Sequence, residues 1–169
     1  LPEPTRTGGI TVPCIRLKTI INAPQKLCFD LSRSIDLHEI STAVTNERAI
    51  AGKTSGLISE GEFVTWKARH FGIYQTLTSQ ITVFNPYHSF TDEMVKGPFK
   101  HIKHIHTFEY IDDKTIMTDE FYYKSPLGIL GSLFNALVLT SYMKRLLIRR
   151  NDTIKQYAES NLWQKVITQ

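Results

Sequence analysis

The chain has 169 residues, 41% of them hydrophobic and 21% charged, a size and balance that give one globular domain a core of its own. Its two cysteines, Cys14 and Cys28, exclude a disulfide framework and read as ordinary buried thiols, one in a strand and one in a helix. A net charge of +4 over scattered Lys and Arg excludes a dedicated nucleic-acid surface, and no apolar run reaches the roughly 18–20 residues of a membrane span.

Residues 1–9 hold two prolines and two glycines and no apolar leader core, so they read as a flexible arm, with the cytoplasm as the default location. Ile10 to Ile21 then alternates, setting Ile15, Leu17, Thr19 and Ile21 against Cys14, Arg16, Lys18 and Ile20, the pattern of a first strand. Asn22-Ala23-Pro24 breaks it. Pro24 suits the first turn of a short helix carrying Leu27, Cys28 and Leu31. A second short helix follows from Ser34 to about Ile40, with Ser32 or Ser34 as its cap.

From Glu62 the period becomes two. Val64, Trp66, Ala68 and His70 share one strand face, Gly72 turns the chain, and Ile73, Gln75, Leu77, Ser79, Ile81 and Val83 continue in one phase. Asn85-Pro86-Tyr87-His88 ends that strand, and Phe90 and Met94 mark a short one closing at Gly97-Pro98. Phe99 to Ile111 puts Ile102, His104, His106, Phe108 and Tyr110 in one phase. Asp112-Asp113 is a hairpin turn, and Thr115 to Lys124 is the last strand.

Ser125-Pro126 opens a helix, the serine as cap and the proline at the first helical position. Its stripe runs through Leu130, Phe134, Leu137, Val138, Ser141 and Tyr142 to Leu146, Leu147, Ile154 and Ala158. Continuous from Leu127 to about Glu159, such a helix would be roughly 50 Å long and would have to traverse the sheet. Arg145, Arg149, Arg150 and Lys155 are then expected to expose their charges or to snorkel. The whole order predicts an α+β domain over residues 10–160, a curved antiparallel sheet around one long C-terminal helix with two short helices after the first strand, and a tail over residues 161–169.

Over approximately residues 12–159 the chain resembles the helix-grip superfamily of START lipid-transfer domains, birch-pollen-allergen-like proteins and polyketide cyclase/dehydrase-like domains, and within it an uncharacterised ligand-binding branch. The segments that carry the resemblance are Ile15 to Leu31 with its Asn-Ala-Pro break, Glu62 to Gly72, Gly97 to Phe108, Phe121 to Gly131 and the terminal helix. The resemblance implies an internal pocket for a small hydrophobic molecule such as a lipid, an aromatic metabolite or a polyketide. It does not choose among carriers, sensors and cyclases.

Trp66, Phe90, Phe108, Tyr122 and Tyr123 are the aromatic candidates for lining such a pocket, with Arg69 to steer an anionic head group and Leu130, Phe134, Leu137 and Ser141 on the helix. His70, His104, His106, Asp119 and Glu120 are the candidate acids and bases, since they lie on the central strands. His104 and His106, two apart on a strand, face one side, and His101 faces the other. A metal would need a third ligand, His70 or Glu120, and neither a His-Glu-x-x-His helix nor a Cys-x-x-Cys pair is present, so the sequence assigns no metal and no cofactor. Gly52-Lys53-Thr54 lacks the full phosphate-loop spacing, and no Gly-x-Ser-x-Gly nucleophile elbow occurs. Lys144, Arg145, Arg149 and Arg150 read as a solvated helix face that touches an anionic membrane at most transiently. The expected function is binding or carriage of a small hydrophobic molecule. The alternatives are a cyclase- or dehydratase-type enzyme and a regulatory interaction module.

Overall fold

Alternation in the strand sequences builds one sheet. The computed structural model describes residues 13–124 and 138–167. In chain order these form β1 (Cys14–Ile21), α1 (Gln25–Ser32), α2 (Ile35–Ser41), β2 (Arg48–Gly52), β3 (Phe63–His70), β4 (Ile73–Asn85), β5 (Ser89–Lys96), β6 (His101–Ile111), β7 (Lys114–Lys124) and α3 (Thr140–Ala158). The seven strands pair antiparallel in the order β1-β7-β6-β5-β4-β3-β2, so α1 and α2 carry the chain from one sheet edge to the other. β2 has no counterpart in the sequence-based reading. Pro24 stands at the N-cap of α1, one place before its expected position, and the Ser34 hydroxyl caps α2 by accepting the Leu37 N–H at 3.2 Å.

Two hairpins are two-residue loops in which both residues have positive φ: Phe71 and Gly72 between β3 and β4, and Asp112 and Asp113 between β6 and β7. These turns match the right-handed twist of the strands they join. The β4/β5 ladder slips between Ile81 and Val83, and a bulge there reverses the side-chain phase. Val83, expected in one phase with Leu77 and Ile81, is therefore half exposed, and Phe84 packs on the core instead. Ile73 and Tyr110, placed by sequence in one phase with Ile81 and with Phe108, lie at strand ends and are exposed.

The buried apolar side chains fall into two clusters. One gathers Ile21, Phe29, Phe90, Phe108, Met117 and Ile154, with Phe29 edge-on to Phe84, Phe90 and Phe108 at centroid distances of 5.4–5.5 Å. Burying a ring of this kind contributes about 1.5–3 kcal/mol. The other cluster holds Ile15, Ile102, Phe121, Tyr123, Leu139 and Leu147. On β1, β5, β6, β7 and α3, which cross from one cluster to the other, the intervening inward positions are polar: Thr19 on β1, Asp119 on β7, His104 and His106 on β6, Asp92 on β5, and Arg150 and Asn151 on α3.

Three further expectations meet the structure differently. Arg150 is buried, because it falls on the inward stripe between Leu147 and Ile154. Residues 161–167 pack back with Trp163, Val166 and Ile167 against the core rather than trailing as a tail. Cys14 lies on the outward phase of β1 and is exposed, whereas Cys28 is buried in α1. Burial pushes the Cys28 thiol up to about 11. A disulfide reagent at pH 8 should therefore modify one thiol per native chain, Cys14, and both thiols once the chain is unfolded in urea. Mass mapping of the labelled peptides checks this. The expected N-terminal arm and the Ser125-Pro126 helix start, including Leu130, Phe134 and Leu137, lie outside the described residues.

Candidate ligand cavity

Between the sheet and α3 lies a cavity of about 360 Å³, within the range of small-molecule sites. Its walls are mostly apolar: Val64, Trp66 and Ala68 of β3, Leu77 and Ile81 of β4, Phe90 of β5, Ile102 of β6, Phe121 of β7, and Met143, Leu146 and Leu147 of α3. Two polar stations interrupt them.

The inner station belongs to the polar belt. Asp119, with no exposed surface, is its centre. Its Oδ1 stands 3.0 Å from His104 Nε2, 2.8 Å from His106 Nδ1 and 3.6 Å from Arg150 Nη1, and its Oδ2 accepts Asn151 Nδ2 at 2.7 Å. The ladder makes this constellation, since Asp119 pairs across with His106, and His104 with Asp92. Burial opposes ionisation of Asp119, but the two imidazoles overcome it and hold the carboxyl well below the ordinary range. Desolvation, aided by the neighbouring His106, pushes His104 down to about 4, so that ring is neutral near pH 7. Asp92 is also held low: burial works against its charge, and the nearby His106 and His104 outweigh that. Arg150 donates from Nη2 to the Ser32 carbonyl at 2.7 Å, while its Nη1 is buried with no hydrogen-bond partner. Asp92, His104 and Arg150 line the cavity. His106 stands behind Phe90, whose ring stacks on it at 4.2 Å.

The second station joins α2 and the segment after it to the sheet and α3. His38 lies over Trp66 at a centroid distance of 4.2 Å, and its Nε2 is 3.5 Å from Glu47. Burial alone would raise the Glu47 carboxyl, and His38 reverses that and keeps it low. His70 Nδ1 is 2.8 Å from the Tyr142 hydroxyl, and burial lowers the His70 value. Phe71, in its left-handed turn conformation, packs on Tyr142 at 4.7 Å.

Of the residues singled out from sequence, Trp66, His70, Phe90 and His104 line the cavity, and Asp119 and His106 stand directly behind it. The others go elsewhere. Arg69 is exposed and donates to the Gly72 carbonyl, because it alternates out of phase with Ala68 and His70. Tyr122 and Glu120 lie on the opposite face of β7, where Glu120 pairs with Arg16 and accepts from Tyr122. Phe108 is core around Phe29, and Tyr123 is buried with its hydroxyl against Thr140. Ser141 is exposed, and the neighbouring Tyr142 and Met143 face the cavity instead. Asp92, Arg150, Asn151, His38, Glu47 and Tyr142 were missed as site residues. Asp92 between Phe90 and Met94, and Arg150 between Leu147 and Ile154, carry the available signal, a charged residue in an apolar phase.

An antiparallel sheet closed on one long helix, with two short helices bridging its edges and a cavity between, is the helix-grip fold. Solved structures with this architecture match most of the chain. A Thermus thermophilus protein covers 88% of it and 100% of its own chain, with a TM-score of 0.68 and 16% identity. The Zhui aromatase/cyclase of a Streptomyces species covers 90% and 96%, with a TM-score of 0.69 and 12% identity. A major latex-like protein from Panax ginseng covers 88% and 99%, with a TM-score of 0.64 and 16% identity. At these identities the likeness establishes the fold. No protein-family model and no curated protein matches the chain. No described helix is long and apolar enough to cross a membrane.

Proposed function

We propose that this chain binds and carries one small, largely apolar molecule in the cavity, with an oxygen-bearing end of the ligand set against Arg150, Asp92 and His104. One observation carries the reading: Arg150, whose Nη1 is buried without a hydrogen-bond partner and 3.6 Å from Asp119 Oδ1, lines a mostly apolar cavity. A ligand carbonyl would accept from that nitrogen, and a ligand hydroxyl would donate to Asp92. Asp92 and Asp119 are both held ionised at this station, so a neutral hydroxyl or carbonyl is favoured over a ligand carboxylate. The helix-grip fold of the comparison structures supports a hydrophobic ligand without specifying it.

Gentle native mass spectrometry, followed by organic extraction, is expected to show one apolar compound per chain, copurifying or selected from a panel of hydroxylated and carboxylated probes. Ala68→Phe, which projects a ring into the cavity, should weaken retention at least tenfold while circular dichroism stays native. Retention unchanged by Ala68→Phe would overturn the assignment. A second reading, a cyclase- or dehydratase-type enzyme, is favoured by the neutral His104 oriented by Asp119 beside Asp92, an arrangement suited to moving a proton. The same mass measurement separates the two: a carrier returns its ligand with unchanged mass and structure, and an enzyme does not.

A further inference from the structure

We propose that Asp92, His104 and His106 form a binding site for a divalent transition-metal ion of the zinc type in the cavity wall. One ligating atom from each residue lies within 4.8 Å of the other two. Two imidazoles and a carboxylate are a donor set suited to zinc and its first-row neighbours, with open positions left for water or a ligand oxygen. Donors around a tetrahedral zinc stand about 3.3 Å apart, so the three must draw together by about 1 Å. Asp92 is the member with room to do so. Its side chain is 29% exposed on the cavity, whereas His106 is 1% exposed and fixed between Phe90 and Asp119.

The surroundings are those of an outer shell. Metal-ligating histidines direct their second nitrogen to a carboxylate that fixes tautomer and orientation. Asp119 Oδ1 stands at that place for His104, 3.0 Å from its Nε2, and lies 2.8 Å from His106 Nδ1, while Asn151 holds the other carboxylate oxygen. An ionised carboxylate only accepts, so it keeps the hydrogen on His104 Nε2 and leaves the lone pair of that ring on its other nitrogen.

Both ring nitrogens of His106 are buried without a hydrogen-bond partner, and Nε2 stands 3.9 Å from Asp92 Oδ2. A buried imidazole nitrogen left unpaired beside a carboxylate is a place that a bound cation can satisfy. The charge count agrees. With both rings neutral, as ligation requires, Asp92 and Asp119 against Arg150 leave one net negative charge to attract a cation. His104 and Asp92 both line the cavity, so the open positions face it.

Titration of chelator-treated, full-length protein with Co²⁺ is expected to give one ion per chain with the visible absorption of a low-coordinate site, displaced by one equivalent of Zn²⁺. Paramagnetic broadening of backbone amides in the unmutated protein should centre on β5 and β6 at Asp92, His104 and His106. Asp92→Asn and His106→Gln should each weaken Co²⁺ at least tenfold, and His88→Gln and His101→Gln, at exposed positions, should leave it unchanged. Absence of a saturable site, broadening centred on His88 or His101, or an Asp92→Asn protein that binds like the parent would each overturn the proposal. None of these readouts needs the apolar ligand, so the two proposals fail separately.

Discussion

Asp119→Ala is expected to cost about 3–5 kcal/mol of folding stability, the usual consequence of removing one partner from a buried charged network. The carboxylate is fully buried and stands at the meeting point of His104, His106, Asn151 and Arg150. Without it the Arg150 guanidinium keeps its bond to the Ser32 carbonyl but loses its nearest buried counter-charge, and the Asn151 amide loses its shorter acceptor. For a domain of ordinary stability this is a large fraction of the whole. Urea denaturation would read it as a lower midpoint at unchanged slope. The network origin of the loss is tested by the double variant Asp119→Leu with Arg150→Met, which replaces ions by apolar bulk and should recover part of it. A loss below about 1 kcal/mol for Asp119→Ala would show that the belt contributes little to stability.

Stability should also fall steeply on mild acidification, by about 3 kcal/mol between pH 6.5 and pH 4. The sign follows from His104. Its value is near 6.5 in an unfolded chain and about 4 in the folded protein, so across this interval the unfolded state binds the additional proton and folding weakens as pH falls. His70, lowered by its burial, acts in the same direction. Below this range Asp92 and Asp119 continue the trend, since carboxyls held low in the folded state lose their stabilising charge as pH drops through their folded values. Urea midpoints at pH 7, 5.5 and 4.5, measured with a chelator present, check this. His104→Gln should flatten most of the decline above pH 4, and an equally steep curve in that variant would contradict the assignment.

Both predictions depend on a belt whose members were only partly legible in the sequence. The i, i+2 spacing of His104 and His106 already placed them on one face, and the structure puts that face inward. Asp119 and Glu120 were indistinguishable as neighbours on one strand. Strand alternation sends one into the core and the other to a surface pair with Arg16, and only the choice of buried face decides which. Arg150 was read as a solvated charge because arginine is almost never buried without a partner. Its partners are more than thirty residues distant in sequence, Asp119 on β7 and the Ser32 carbonyl at the end of α1, so nothing local could reveal them.

By itself, the sequence determined the elements whose signal is local and repeated. The alternating phases of β1, β3, β6 and β7, the Asp112-Asp113 turn, a serine cap for α2 and the helical stripe all follow from side-chain periodicity and backbone preference, and together they specify the helix-grip fold. Only the tertiary structure decided what long-range register controls. It placed the bulge that exchanges Val83 for Phe84, directed Arg69, Tyr122 and Ser141 outward, and assembled Asp92, His104, His106, Asp119 and Arg150 from three strands and a helix. A pairing partner or a buried counter-charge acts through space, and its identity depends on how distant segments align.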